Sequence, residues 1–125
     1  MATNECIFCN IEEKRILFSD EHFYIIKDNY PVSPGHMLII SKRHVEEYFH
    51  LNKTETDALH DVILKAKGLV EAEHKPDGYN IGMNCSQSAG QTIMHFHCHL
   101  IPRYKGDVEN PRGGVRHVIS GKGYY

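Results

Sequence analysis

Three histidines alternate with apolar residues in His95-Phe96-His97-Cys98-His99-Leu100-Ile101-Pro102-Arg103. Successive side chains of a β-strand point to opposite faces, so an extended segment over residues 94–101 puts His95, His97 and His99 side by side. Met94, Phe96, Cys98 and Leu100 then face a core. A helix would scatter the same imidazoles around its circumference. Aligned imidazoles suit nucleophilic attack, proton transfer, phosphate binding or metal ligation. Two chemistries compete for them. A metal site can be built on His-x-His in a strand, yet no carboxylate lies in the segment and Arg103 just after it would repel a cation. Phosphate chemistry fits better, because the preceding loop Asn84-Cys85-Ser86-Gln87-Ser88-Ala89-Gly90-Gln91-Thr92 is rich in small residues and neutral hydrogen-bond donors. An imidazole nitrogen attacks phosphorus without first deprotonating an alcohol.

Other elements must hold this segment in place. Phe23-Tyr24-Ile25-Ile26 and His36-Met37-Leu38-Ile39-Ile40 read as strands, the second apolar enough to be central. The stretch 29–35 between them is dense in turn formers, and a turn or short helix is expected around 44–49. The clearest helix starts near Thr54. Thr54 with Asp57, or Asn52 with Glu55 in a competing register, forms a capping box. Leu59, Val62, Ile63, Ala66, Leu69 and Val70 recur at helical spacing. The helix ends by Lys75-Pro76-Asp77-Gly78, and residues 79–84 read as a strand. Strands, one long helix, then strands predict an α+β fold with a mostly antiparallel sheet, the helix on one face and the other face open.

Composition sets the outer limits. The chain has 125 residues, 41% of them hydrophobic and 24% charged, which fits one domain over 1–125 with an ordinary core. A net charge of −2 argues against a general nucleic-acid partner. No run is long and apolar enough to span a membrane. The start Met1-Ala2-Thr3-Asn4-Glu5-Cys6 lacks the order of a secretory signal. A cytoplasmic location is therefore expected, with the four cysteines as thiols or metal ligands. Cys6-x-x-Cys9 reads as a metal-ligand pair or a redox pair. Cys98 reads as a packed thiol. The segment after Arg103 reads as a tail or loop of the same domain.

Taken together, Ala89-Gly90-Gln91-Thr92-Ile93-Met94-His95-Phe96-His97-Cys98-His99-Leu100-Ile101-Pro102-Arg103 resembles the signature of the histidine triad family, His-φ-His-φ-His-φ-φ with φ apolar. Pro34-Gly35-His36-Met37-Leu38-Ile39-Ile40-Ser41-Lys42-Arg43-His44 resembles that family's other marked segment. Cys6-Ile7-Phe8-Cys9 is similar to the start of its microbial zinc-containing members. The resemblance implies a homodimer in which two five-stranded antiparallel sheets join. It implies a nucleotide hydrolase or nucleotidyl transferase that attacks an α-phosphate through a nucleotidyl-histidine intermediate. A dinucleoside polyphosphate substrate releasing AMP is the first reading. A nucleoside phosphoramidate hydrolase, and a nucleotide-binding regulatory protein with little turnover, are the alternatives.

By position, the resemblance implies His97 as nucleophile, with His99 and His36 completing the catalytic cluster. Asn84, Gln91 and Thr92 would hydrogen-bond phosphate oxygens or the leaving group, and Asp28 the ribose hydroxyls. Ile7, Phe8, Ile11, Ile26 and Leu38 would form a slot for the base, although Ile26 and Leu38 read equally well as core, and Asp28 as a loop cap. A structural zinc on Cys6, Cys9, His44 and His95 is implied, with no organic cofactor. Ser86 departs from the usual glycine; a positive φ there would strain the turn. His117 and Ser120 also sit in unusual places for the branch that Gly113-Gly114-Val115-Arg116-His117-Val118-Ile119-Ser120 resembles.

Overall fold

A computed structural model describes residues 5–125. Five strands form one antiparallel sheet: β1 (Ile16–Ser19), β2 (Phe23–Lys27), β3 (Met37–Ser41), β4 (Gly78–Gly82) and β5 (His97–Arg103), in the order β1-β2-β3-β5-β4. A single long helix, α1 (Lys53–Glu71), packs on one face.

The two faces follow from alternation along the strands. Phe23, Ile25, Met37, Ile39, Cys98 and Leu100 meet Leu59, Val62, Ala66 and Val70 of the helix. Each fully buried aliphatic there contributes about 1.5–3 kcal/mol. Ile26, Leu38 and Ile40 point the other way and pack with Cys6 and Phe8. Central β3 is thus covered on both sides and buried at all five positions, which is why Met37 to Ile40 form a continuous apolar run. The far face, expected to be open, is partly roofed by the N-terminal segment.

The helix start resolves two competing registers. Asn52 accepts from the Glu55 N–H and Glu55 accepts from the Asn52 N–H, a complete capping box. Asp57 instead pairs with Lys53. Arg43 clamps Glu55 through Nε and Nη2, at 3.1 and 2.7 Å, so the cap is also a tertiary anchor.

Some boundaries differ from expectation. β1 carried no sequence signal: it is a four-residue edge strand with a register shift between Ile16 and Phe18. β4 ends at Gly82, short of Asn84, and α1 ends at Glu71. Regular pairing in β5 begins at His97, so His95 and Phe96 precede the strand. Phe96 breaks the ladder because its N–H donates to the Val45 carbonyl, outside the sheet. The segment after Arg103 returns as a short helical turn over Gly114–Val118 beside β4. Among the described residues no helix is long and apolar enough to cross a membrane.

Candidate active site

β5 alternates half-buried and buried residues, so Cys98 and Leu100, with Phe96 just ahead of the strand, enter the helix-side core while His97 and His99 face the opposite side. The pairings Ile40↔His97 and Leu38↔His99 set the two imidazoles beside an apolar wall. A cavity of about 370 Å³ lies in front of them, within the size range of small-molecule sites.

Hydrogen-bond partners decide which nitrogen of each ring carries the proton. His97 Nδ1 lies 2.8 Å from the His95 carbonyl oxygen. A carbonyl only accepts, so Nδ1 donates, and in the neutral ring Nε2 keeps its lone pair. His36 Nδ1 accepts from the Val32 N–H at 3.2 Å. Its Nε2–H therefore donates to His99 Nδ1, at 2.9 Å, and leaves the second His99 nitrogen as a donor. Burial holds the His36 pKa below its ordinary value against the opposing pull of Asp28. Burial, then the neighbouring His97 and His36, push His99 down to about 4, again against Asp28. Both shifts favour the neutral rings, and the shared N–H···N bond needs the accepting His99 Nδ1 unprotonated.

Asp28 serves two sides. One oxygen accepts from the Tyr30 N–H at 2.8 Å and shapes the loop. The other stands 3.4 Å from His36 Nε2 and 4.0 Å from His99 Nδ1. Asp28, His36 and His99 could in principle group around an ion. The Val32 N–H opposes this, because it occupies His36 Nδ1 and so keeps a proton on the nitrogen that would have to bind.

A second cluster sits behind the first. The ligand atoms of Cys6, Cys9, His44 and His95 all lie within 4.8 Å of one another. Cys6 Sγ is 3.2 Å and Cys9 Sγ 3.5 Å from His95 Nδ1, while His44 Nδ1 is 3.1 Å from both Cys9 Sγ and His95 Nδ1. Tetrahedral zinc with these donors would separate them by about 3.3–3.8 Å, from bond lengths of about 2.0–2.3 Å. The His95 ring is fully buried, and its Nε2–H donates to the Ser41 carbonyl at 2.7 Å, which turns the Nδ1 lone pair toward the thiols. Burial, with Cys6 alongside, pushes the Cys9 thiol up to about 11; a bound cation would reverse that. The residues fit a closed metal site.

The other expected site residues divide. Ile7, Phe8, Asp28, Leu38, Asn84 and Thr92 line the cavity with His36, His97 and His99. Ile26 is sealed in the core beneath it, and Ile11 packs at the edge of that core without reaching the cavity. Gln91 also turns away. Its side chain accepts from the Ser86 N–H and donates to the Glu46 and Ile93 carbonyls, so it staples the loop from within. Ser86 has φ 86° and ψ 158°, the one positive φ outside glycine among the described residues. Arg15, Tyr30 and Val32 line the cavity without having been anticipated. Arg15 lies in a segment whose chain path no motif announces, and only the turn composition of 29–35 hinted at the other two.

Comparison with known proteins agrees with this geometry. The HIT domain profile matches residues 10–106. An uncharacterized HIT-like protein of Methanocaldococcus jannaschii is 38% identical over 120 residues, 90% of this chain and 91% of that protein. The bis(5'-adenosyl)-triphosphatase of Dictyostelium discoideum is 35% identical over 100 residues, 80% of this chain and 67% of that protein. A zinc-bound histidine triad family protein from Mycobacterium smegmatis superposes with a TM-score of 0.74 at 30% identity, covering 87% of this chain and 82% of that one. Spacing, fold and these likenesses converge, and the chain belongs to the histidine triad family.

Proposed function

We propose that the chain is a nucleotide hydrolase or nucleotidyl transferase working through a nucleotidyl-His97 intermediate. The observation that carries this is the 2.8 Å bond from His97 Nδ1 to the His95 carbonyl, which in the neutral ring directs the Nε2 lone pair to an open cavity. In the first step Nε2 forms a bond to the α-phosphorus, and the bond to the leaving group breaks with its electron pair. The Nε2–H of His99 donates to a phosphate oxygen or to the departing atom. In the second step water bonds to phosphorus and releases its proton to solvent, the N–P bond breaks, and the pair returns to Nε2. Asn84 and Thr92 contribute neutral donors at the cavity wall, and Asp28 a carboxylate that can accept from a ribose diol.

A dinucleoside polyphosphate releasing AMP is the proposed substrate, supported by the likeness to the bis(5'-adenosyl)-triphosphatase. A structural zinc on Cys6, Cys9, His44 and His95 belongs to this reading, supported by the ligand geometry and the likeness to the zinc-bound neighbour. Such an ion would supply a cross-link between the N-terminal segment and the sheet. The reading carries with it a homodimer and a cytoplasmic location. The test is His97→Asn, assayed against a panel of dinucleotides and adenosine phosphoramidates. Turnover is expected to fall by about 10³ or more with nucleotide Kd changed only a few-fold. Wild-type protein should trap an acid-labile adenylate on His97. Full activity of the variant would refute the assignment.

A further inference from the structure

The metal-binding cluster and the cavity share residues in a way that a remote structural cross-link would not. Cys6 and Cys9 flank Ile7 and Phe8, so two candidate ligands bracket two residues of the cavity wall. The Cys9 N–H donates to the Cys6 carbonyl at 3.1 Å, which closes this stretch into a turn. The segment 6–12 contributes no strand to the sheet. Among its holds on the body of the protein are the thiol–imidazole contacts and the packing of Cys6, Phe8 and Ile11 against Ile26, Leu38 and Ile40. The Phe8 ring meets His97 edge-on at 5.0 Å between centroids and His95 at 6.0 Å. His95 closes the circuit, because its Nδ1 faces the thiols while its carbonyl accepts from His97 Nδ1.

We infer that metal occupancy of the Cys6–Cys9–His44–His95 cluster sets the affinity of the adjoining cavity for nucleotide, with Phe8 as the positioning residue that couples the two sites. The inference rests on the nucleotide reading above and concerns regulation of that same site. An ion that draws the two thiols onto His44 and His95 fixes both ends of the Ile7–Phe8 turn. It also fixes the ring and backbone of His95. Without it the thiols keep only hydrogen-bond contacts to the imidazoles, weaker than coordination, beside the apolar packing, so binding a base must do more of the ordering of this wall. Coupling of this kind is reciprocal: what metal does for nucleotide, nucleotide does for metal by the same factor.

The experiment measures AMP binding by calorimetry on zinc-loaded protein and on chelator-treated protein whose fold is checked by circular dichroism. AMP is expected to bind at least tenfold more weakly without metal, inside the roughly 5–150-fold span typical of coupled sites. A second arm loads the protein with Co²⁺, whose visible spectrum reports thiolate coordination, and titrates AMP. The bands should shift in wild-type protein. Phe8→Ala should keep the cobalt spectrum of the free protein, bind AMP weakly, and show no shift, with Phe8→Leu partly restoring both. AMP affinities within twofold in the two metal states overturn the coupling. If metal removal unfolds the chain, a cobalt spectrum unmoved by bound AMP overturns it instead. Failure of AMP to bind in any metal state overturns the nucleotide reading beneath it.

Discussion

Replacing Ser86 by glycine should stabilise the protein. Ser86 sits at φ 86° and ψ 158°, a region that an L side chain enters at a cost of about 1–3 kcal/mol. Its hydroxyl makes no capping hydrogen bond and the residue is exposed, so the substitution removes no side-chain contact of consequence. What holds the turn is backbone: the Ser86 N–H donates to Gln91 Oε1, and the Ser86 carbonyl accepts from Ala89 and Gln91. Glycine keeps all of these. Against the relief stands the larger conformational entropy of glycine in the unfolded chain, about 0.5–1 kcal/mol. The net gain is about 0.5–2 kcal/mol. Chemical denaturation should show a higher midpoint at unchanged slope, and heating a Tm raised by about 4 °C per kcal/mol for a chain of this length. Ser86→Ala is the control, since alanine is as ill-suited as serine to this conformation, and should lie within about 0.5 kcal/mol of wild type. A glycine variant no more stable than the alanine variant would refute the strain argument.

Two further perturbations address the scaffold. The Arg43 clamp and the Asn52 N–H hold the buried Glu55 carboxyl below its ordinary pKa against the cost of burial. A lowered folded-state pKa means stability present above the unfolded value and lost as pH falls through the folded one, so wild type should weaken progressively below about pH 4.5. Glu55→Gln should cost about 1–2 kcal/mol at pH 7, discounted because Arg43 is half exposed, and urea titrations at acid pH should show the gap closing. At Gly35, φ is +90° and a Cβ would lie 3.0 Å from the His74 ring and 3.2 Å from Val70. Gly35→Ala should therefore destabilise by about 1–3 kcal/mol and, because it displaces neighbouring His36, raise KM in a steady-state assay.

What the sequence made legible was mostly periodic. Alternation from Phe96 to Leu100 predicted that His97 and His99 share one side of β5, and the structure keeps that alternation through Arg103, whereas His95, expected in line with them, lies in a bend before the strand. The helical spacing of Leu59, Val62, Ala66 and Val70 predicted the buried stripe of α1. Local chemistry was ambiguous where two caps overlapped. Asn52–Glu55 prevails because Arg43, distant in the folding pattern but adjacent in space, rewards Glu55 at that position. β1 went unread because four residues at a sheet edge, with one register shift, carry too short a period. Gln91 was expected among the phosphate ligands from its position in the family resemblance. Its amide goes to Glu46, whose approach to this loop no local pattern encodes.

The division of labour among the histidines also lay beyond residue type. His95, His97 and His99 are chemically identical, and each takes its character from a backbone group near its ring. The Ser41 carbonyl takes the Nε2–H of His95 and so presents Nδ1 to two thiols. The His95 carbonyl takes the Nδ1–H of His97 and so presents a bare Nε2 to the cavity. The Val32 N–H, acting through His36, leaves His99 as a donor. A main-chain carbonyl cannot change sides of a hydrogen bond, so these tautomers of the neutral rings persist for as long as β3 and the two flanking loops keep their path. That is the physical reason the site needs a rigid sheet: the strand aligns the rings, and the surrounding backbone assigns each one its proton.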